Sequence, residues 1–158
     1  MESISRCGDD PKIPLKAENP AFPASIPQPA EPRRPLRMLV LEDDPLLKWA
    51  ISETLKTGGH VTLDACDLPA AERAVQSAPG SIDLVLFDDH IPGGASLSSI
   101  ARFRRLAPGS PLVMMTDHGP REAVAAALAL GVYDVIIKPF EMGSLEAILL
   151  KACGSLSP

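Results

Sequence analysis

Residues 37–153 predict an α/β domain, a doubly wound parallel sheet with helices on both faces. Three observations carry that prediction. Short apolar runs alternate five times with stretches of helical periodicity, and Gly or Pro stands at most of the junctions. In addition, acids, a hydroxyl and a cation stand at the ends of those apolar runs. Strands that alternate with helices pair in parallel through right-handed crossovers, which places every strand end of one kind along a single rim.

The elements follow in order. Met38 to Leu41 is a short apolar strand, with Glu42, Asp43 and Asp44 at its end. Asp44 and Pro45 open a helix as an acidic cap with proline in the first turn, and Gly58 and Gly59 stop it. Leu47, Ala50, Ile51, Thr54 and Leu55 form its buried stripe. A second strand, His60 to Ala65, leads to a helix capped near Asp67 that carries Leu68, Ala71, Val75 and Ala78 on one face. Val85, Leu86 and Phe87 are the centre of the third strand, a continuous apolar run of the kind buried on both faces, and it delivers Asp88 to its end before Pro92 and Gly93 turn the chain. The third helix begins near Ser96 with Leu97, Ile100, Phe103 and Ala107. The fourth strand runs from Pro111 to Met115 and ends at Thr116. Its helix starts near Pro120, burying Val124, Ala127 and Leu128. The fifth strand, Tyr133 to Ile137, ends at Lys138 and Pro139, and the last helix aligns Leu145, Ile148, Leu149 and Ala152.

Residues 1–36 hold eight prolines and are expected to form a disordered, Pro-rich arm. Met38, just before the first strand, offers an alternative start of translation. Residues 154–158 are a short tail, and no DNA-binding output is expected to fit after the last helix. The arm carries five basic and five acidic groups, so the net charge of −5 belongs to residues 37–158. That balance argues against direct nucleic-acid binding, and Arg102, Arg104 and Arg105 read as a solvated helix face. Cys7, Cys66 and Cys153 have no metal-site or disulfide spacing and are expected to be free thiols. With no apolar run near the roughly 20 residues that span a bilayer and no signal-peptide core, a cytoplasmic protein without membrane contact is expected.

In open α/β sheets, ligands bind outside the carboxyl ends of the strands, where the strand order reverses. Taken singly, Asp88 reads as a turn residue, Asp43 or Asp44 as a helix cap, Thr116 as a turn hydroxyl and Lys138 as an exposed cation. Together they place several carboxylates at one rim. Two unit charges about 4 Å apart repel by roughly 4 kcal/mol at an effective dielectric near 20, so such a cluster calls for a positive partner. Three acids without His or Cys ligands argue for Mg2+ or Mn2+ over zinc. Asp88 beside such an ion has the chemistry of an aspartyl-phosphate nucleophile, with Thr116 and Lys138 to meet phosphoryl oxygens.

Residues 37–153 resemble the receiver domain of bacterial two-component response regulators. Glu42 and Asp43 match the family's acidic pair after the first strand, Asp88 with Pro92 its phosphoacceptor and following proline, Thr116 its strand-four hydroxyl, and Lys138 to Phe140 its Lys-Pro-Phe. The stretch Leu46 to Ile51 is similar to receivers that precede ATPase-type activators. The resemblance implies a flavodoxin-like (βα)5 fold of strand order 2-1-3-4-5 and a cis Lys138–Pro139 bond. It implies a metal site of Glu42, Asp43, Asp88 and the backbone carbonyl of His90. It also implies a histidine kinase or histidine phosphotransfer protein as phosphoryl donor, and a downstream partner at the fourth helix and fifth strand.

The expectation is therefore a single-domain receiver, monomer or weak dimer, that catalyses at most its own phosphorylation and dephosphorylation. A pseudo-receiver that binds its partner without phosphorylation is the alternative, and a small phosphohydrolase a more distant one. Four departures from the family pattern bear on this choice. Val135 replaces the switch aromatic, with Tyr133 two residues earlier as a possible substitute. Asp117 stands where a small residue is usual. His90 and His118 occupy places that in the family tune hydrolysis of the acyl phosphate.

Overall fold

The computed structural model describes residues 34–154 apart from 79, 94–95 and 118–120. Its elements are β1 (Arg37–Leu41), α1 (Pro45–Thr57), β2 (Val61–Ala65), α2 (Leu68–Ser77), β3 (Leu84–Asp88), α3 (Leu97–Leu106), β4 (Leu112–Thr116), α4 (Arg121–Ala129), β5 (Asp134–Ile137) and α5 (Met142–Gly154). All strand pairs are parallel, in the order β2-β1-β3-β4-β5.

Side-chain alternation along the strands sorts the core into two layers. Leu39, Leu41, Val85, Phe87, Leu112 and Met114 face α2, α3 and α4, meeting Leu68, Ala71, Ile100, Phe103 and Ala127. Met38, Val40, Leu84, Leu86, Val113 and Met115 face α1 and α5, meeting Ile51, Leu55, Leu145 and Leu149. The rings of Phe87 and Phe103 lie 4.7 Å apart between centroids at 37°, within the range of favourable tilted pairs.

The helix starts follow the cap chemistry. Asp44 Oδ1 accepts from the N–H groups of Leu46 and Leu47, Asp67 from that of Ala70, and Ser96 Oγ from that of Ser99. Gly93 has φ +91°, and its carbonyl accepts from Ser99 Oγ at 2.6 Å, which ties the turn after β3 to the first turn of α3.

Two expected core residues lie outside. Leu97 is 68% exposed, because a residue at the first position of a helix projects past its amino end instead of over the sheet. Leu128 is 45% exposed: Ala127 takes the sheet-facing position in α4, and the next residue is turned about 100° away. Ala127 and Leu149 are buried as the periodicity predicts.

Of the arm, Arg34 to Leu36 are described, whereas residues 1–33 and 155–158 lie outside the described residues. Leu36 is buried, its N–H donates to His60 Nδ1 at 3.3 Å, and its carbonyl accepts from Val61 N. Asp83 accepts from the N–H of Arg37 and from the Arg34 guanidinium, so β1 is fastened at its start. Cys66 and Cys153 are free, and Cys7 lies outside the described residues. Among the described residues, no helix is long and apolar enough to cross a membrane.

Candidate functional site

Strand order reverses between β1 and β3, and the carboxyl ends of these two strands build the site. Leu41 pairs with Phe87, so Glu42 and Asp88 leave adjacent strands at the same level. Asp88 pairs with Met115 and Thr116 with Ile137, which brings Thr116 and Lys138 to the same rim. Glu42, Asp88 and Thr116 are buried, Lys138 is largely covered, and Asp43 and His90 are exposed.

Lys138 joins the two buried acids, its Nζ donating to Asp88 Oδ2 at 2.6 Å and to Glu42 Oε2 at 2.9 Å. The peptide bond between Lys138 and Pro139 is cis. The other oxygen of Asp88 accepts from the backbone N–H of His90 at 3.0 Å, and the N–H of Asp44 donates to Glu42 Oε1 at 3.1 Å. Lys48 Nζ donates to the Glu42 carbonyl at 3.1 Å.

These contacts separate the two acids. Burial alone raises the pKa of Asp88, but the His90 N–H and the Lys138 ammonium outweigh it and lower it to about 2. For Glu42 burial prevails, and its pKa is raised despite Lys138 and the Asp44 N–H. Burial lowers the pKa of Lys138, yet Asp88 and Glu42 outweigh it and the ammonium is held more firmly than usual. The site thus holds an ionised Asp88 beside a fixed cation.

Glu42, Asp43 and Asp88 each offer a carboxylate oxygen, all within 4.8 Å of one another. Three hard oxygen donors without thiolate or imidazole fit magnesium. Asp88, Asp89 and His90 form a second group of the same compactness. Here His90 Nδ1 lies 3.3 Å from Asp88 Oδ1, 2.9 Å from Asp89 Oδ1 and 3.6 Å from Asp117 Oδ2. The contact with Asp88, then the charge of Asp89, push the pKa of His90 up.

The structure brings together Glu42, Asp43, Asp88, Thr116 and Lys138, and places His90 beside them. His118 lies outside the described residues. Val135 is half-buried against the layer of α2, α3 and α4, and Tyr133 stands exposed just before β5. Two participants carried no assignment from the sequence. Lys48 stands four residues after the cap Asp44, near the start of α1, and reaches back to the Glu42 carbonyl. Asp89 accepts a 2.6 Å hydrogen bond from Thr116 Oγ1, because the ladder of β3 and β4 continues one step, from Asp89 N to Met115 O, and sets the two side by side.

A five-stranded parallel sheet with buried acids and a lysine at its switch point defines a receiver-type signalling domain. The model of the response regulator receiver domain matches residues 38–150, and the chain belongs to that family. Receiver domains hold magnesium in an acidic pocket of this kind and work as signalling modules. The chain is 32% identical to the response regulator protein FleR of Pseudomonas aeruginosa over 125 residues, covering 76% of this chain and 25% of that protein. It is 33% identical to the two-component response regulator PhoP of the same organism, covering 72% of this chain and 50% of that protein. The chain thus spans a quarter to a half of the length of these curated relatives. Among solved structures, NtrX from Brucella abortus is similar with a TM-score of 0.68 at 27% identity, covering 77% of this chain and 27% of that one. A CheY-like receiver from Methanospirillum hungatei shares the fold, with a TM-score of 0.67 at 20% identity over 77% of this chain and 96% of that one.

Proposed function

We propose that the domain is a phosphorylatable switch in which Asp88 accepts a phosphoryl group from a histidine kinase or histidine phosphotransfer protein. The observation that carries this reading is the buried Asp88 carboxylate held by Lys138, within 4.8 Å of the Glu42 and Asp43 carboxylates. An Asp88 oxygen forms the new O–P bond as the donor's N–P bond breaks, and the electron pair leaves with the imidazole nitrogen, which takes a proton from solvent. Lys138 stays beside the acyl phosphate and offsets its charge, and Thr116 offers a hydroxyl to one of its oxygens. Glu42, Asp43, Asp88 and the His90 carbonyl would hold magnesium, which when bound neutralises and orients the phosphoryl oxygens.

Leu46 and Trp49 on α1 are exposed near the rim and suit a donor protein, whereas Leu128, Tyr133 and Ile137 expose apolar surface at α4 and β5 and suit a downstream one. Signalling is then by contact, as a monomer or weak dimer. The pseudo-receiver reading draws support from Val135 in place of the switch aromatic and from the bond that Thr116 already makes to Asp89.

Incubation with acetyl phosphate and magnesium, followed by intact mass, decides between them. A base-labile gain of one phosphoryl group, absent in Asp88→Asn, is expected. No gain in a wild-type protein that binds magnesium would overturn the switch in favour of the pseudo-receiver, and steady phosphate release over many turnovers would point to a hydrolase.

A further inference from the structure

The hydrogen bond from Thr116 to Asp89 sets a limit on the proposed switch. A threonine hydroxyl has one proton to donate, and a phosphoryl group offers only acceptors. While that proton points at Asp89 Oδ2, 2.6 Å away, it cannot serve a phosphoryl oxygen on Asp88. Asp89 is well fixed for the competing role. Its N–H is bonded to the Met115 carbonyl at 3.0 Å, its Oδ1 is enclosed without an aligned hydrogen bond, and the ring nitrogen of His90 lies 2.9 Å from that oxygen. A carboxylate is also a stronger acceptor for a hydroxyl than a neutral group would be.

We propose that Asp89 is a resting-state latch: a positioning residue that holds the Thr116 hydroxyl and must release it before the phosphorylated conformation can form. This rests on the reading of Asp88 as phosphoacceptor. It makes the switch harder to close than the motif alone implies, and it makes Asp89 the residue that sets the balance between the resting and phosphorylated-like states. Its charge also opposes an incoming phosphoryl group. That second effect does not pass through Thr116, so the two can be separated.

The test is the dissociation constant for beryllofluoride, a phosphoryl mimic, in saturating magnesium, followed by fluorine NMR on the full chain. Asp89→Ala is expected to bind about tenfold more tightly than wild type, the scale of a lost hydrogen bond to a charged group. Asp89→Asn, close in shape and still a weaker acceptor, is expected to gain about threefold, and it serves if the alanine variant folds poorly. Both gains should shrink in a Thr116→Val background, which keeps the shape but has no proton to donate, and what is left there is the share that comes from the charge of Asp89. A gain that persists undiminished with Thr116→Val, or no gain in either Asp89 variant, overturns the latch and leaves the phosphoacceptor reading standing. Failure of wild type and both Asp89 variants to bind beryllofluoride overturns the phosphoacceptor reading and the latch together. Binding by Asp89→Ala but not by wild type supports the latch in its strongest form.

Discussion

β3 carries an acid at each end, and the two are treated differently. At the amino end, Asp83 meets the Arg34 guanidinium and the backbone N–H of Arg37, so one carboxylate has one cation and a backbone donor. At the carboxyl end, Asp88 shares one lysine with Glu42, while Asp43 and Asp89 stand close by. The first arrangement is closed: it fastens the start of β1 to that of β3 and pairs the carboxylate with a cation. The second keeps an excess of negative charge at a buried point, which costs stability in the absence of a further cation. A strand-end acid that is neutralised locally is structural, and one that is left short of positive charge is available for binding and chemistry.

The largest expected effect comes from removing Lys138, the lysine that the two buried acids share. Lys138→Met should lower stability by about 3 kcal/mol in urea unfolding without magnesium, as for a buried ion pair left with one partner. Glu42, whose pKa burial already raises, is the group expected to take up a proton and limit the loss. A loss below about 1 kcal/mol, the ordinary value for an exposed ion pair, would mean that the carboxyl rim is as well balanced as the amino rim. Next in size is the response to magnesium. At a hundredfold excess over its dissociation constant the ion should stabilise wild type by about 2.7 kcal/mol. Asp43→Asn should lose most of that gain, whereas Asp83→Asn should keep it. Equal gains in both variants would remove the distinction between the two ends.

Much of the site was legible before the structure because strand ends are easy to locate in an alternating α/β pattern. Asp88, Thr116 and Lys138 each follow directly on an apolar run, and parallel topology brings such positions to one rim. What periodicity could not show is where a helix ends over solvent, hence the exposure of Leu97, or which of two adjacent apolar residues, Ala127 or Leu128, takes the sheet-facing place. Pairings between side chains were harder still. The bond from Thr116 to Asp89 depends on one extra step of ladder beyond β3, a matter of register that no residue type announces. Leu36 stands among prolines in the sequence, and its burial comes from the way β1 enters beside β2.

The smallest of the stability effects concerns that entrance. A chain that begins at Met38 would lose the buried Leu36 side chain, the hydrogen bonds from Leu36 to His60 and from Val61 to Leu36, and both contacts of Asp83 with Arg34 and Arg37. Burial of one leucine is worth about 2 kcal/mol, and a loss of that order is expected in urea unfolding when the start is moved from Met1 to Met38. Moving the start to Arg33 should keep the stability that rests on these contacts, because the residues from Arg34 onward are retained. Beryllofluoride binding should be the same in all three chains, since the amino rim lies at the opposite end of β3 from Asp88. A chain begun at Met38 that unfolds at the same urea concentration as the full one would mean that Leu36 and the contacts of Asp83 with Arg34 and Arg37 contribute nothing to the fold. If it instead lost beryllofluoride affinity while remaining folded, the two ends of β3 would have to be coupled through the strand, and the separation between a structural and a chemical acid on the same strand would fail.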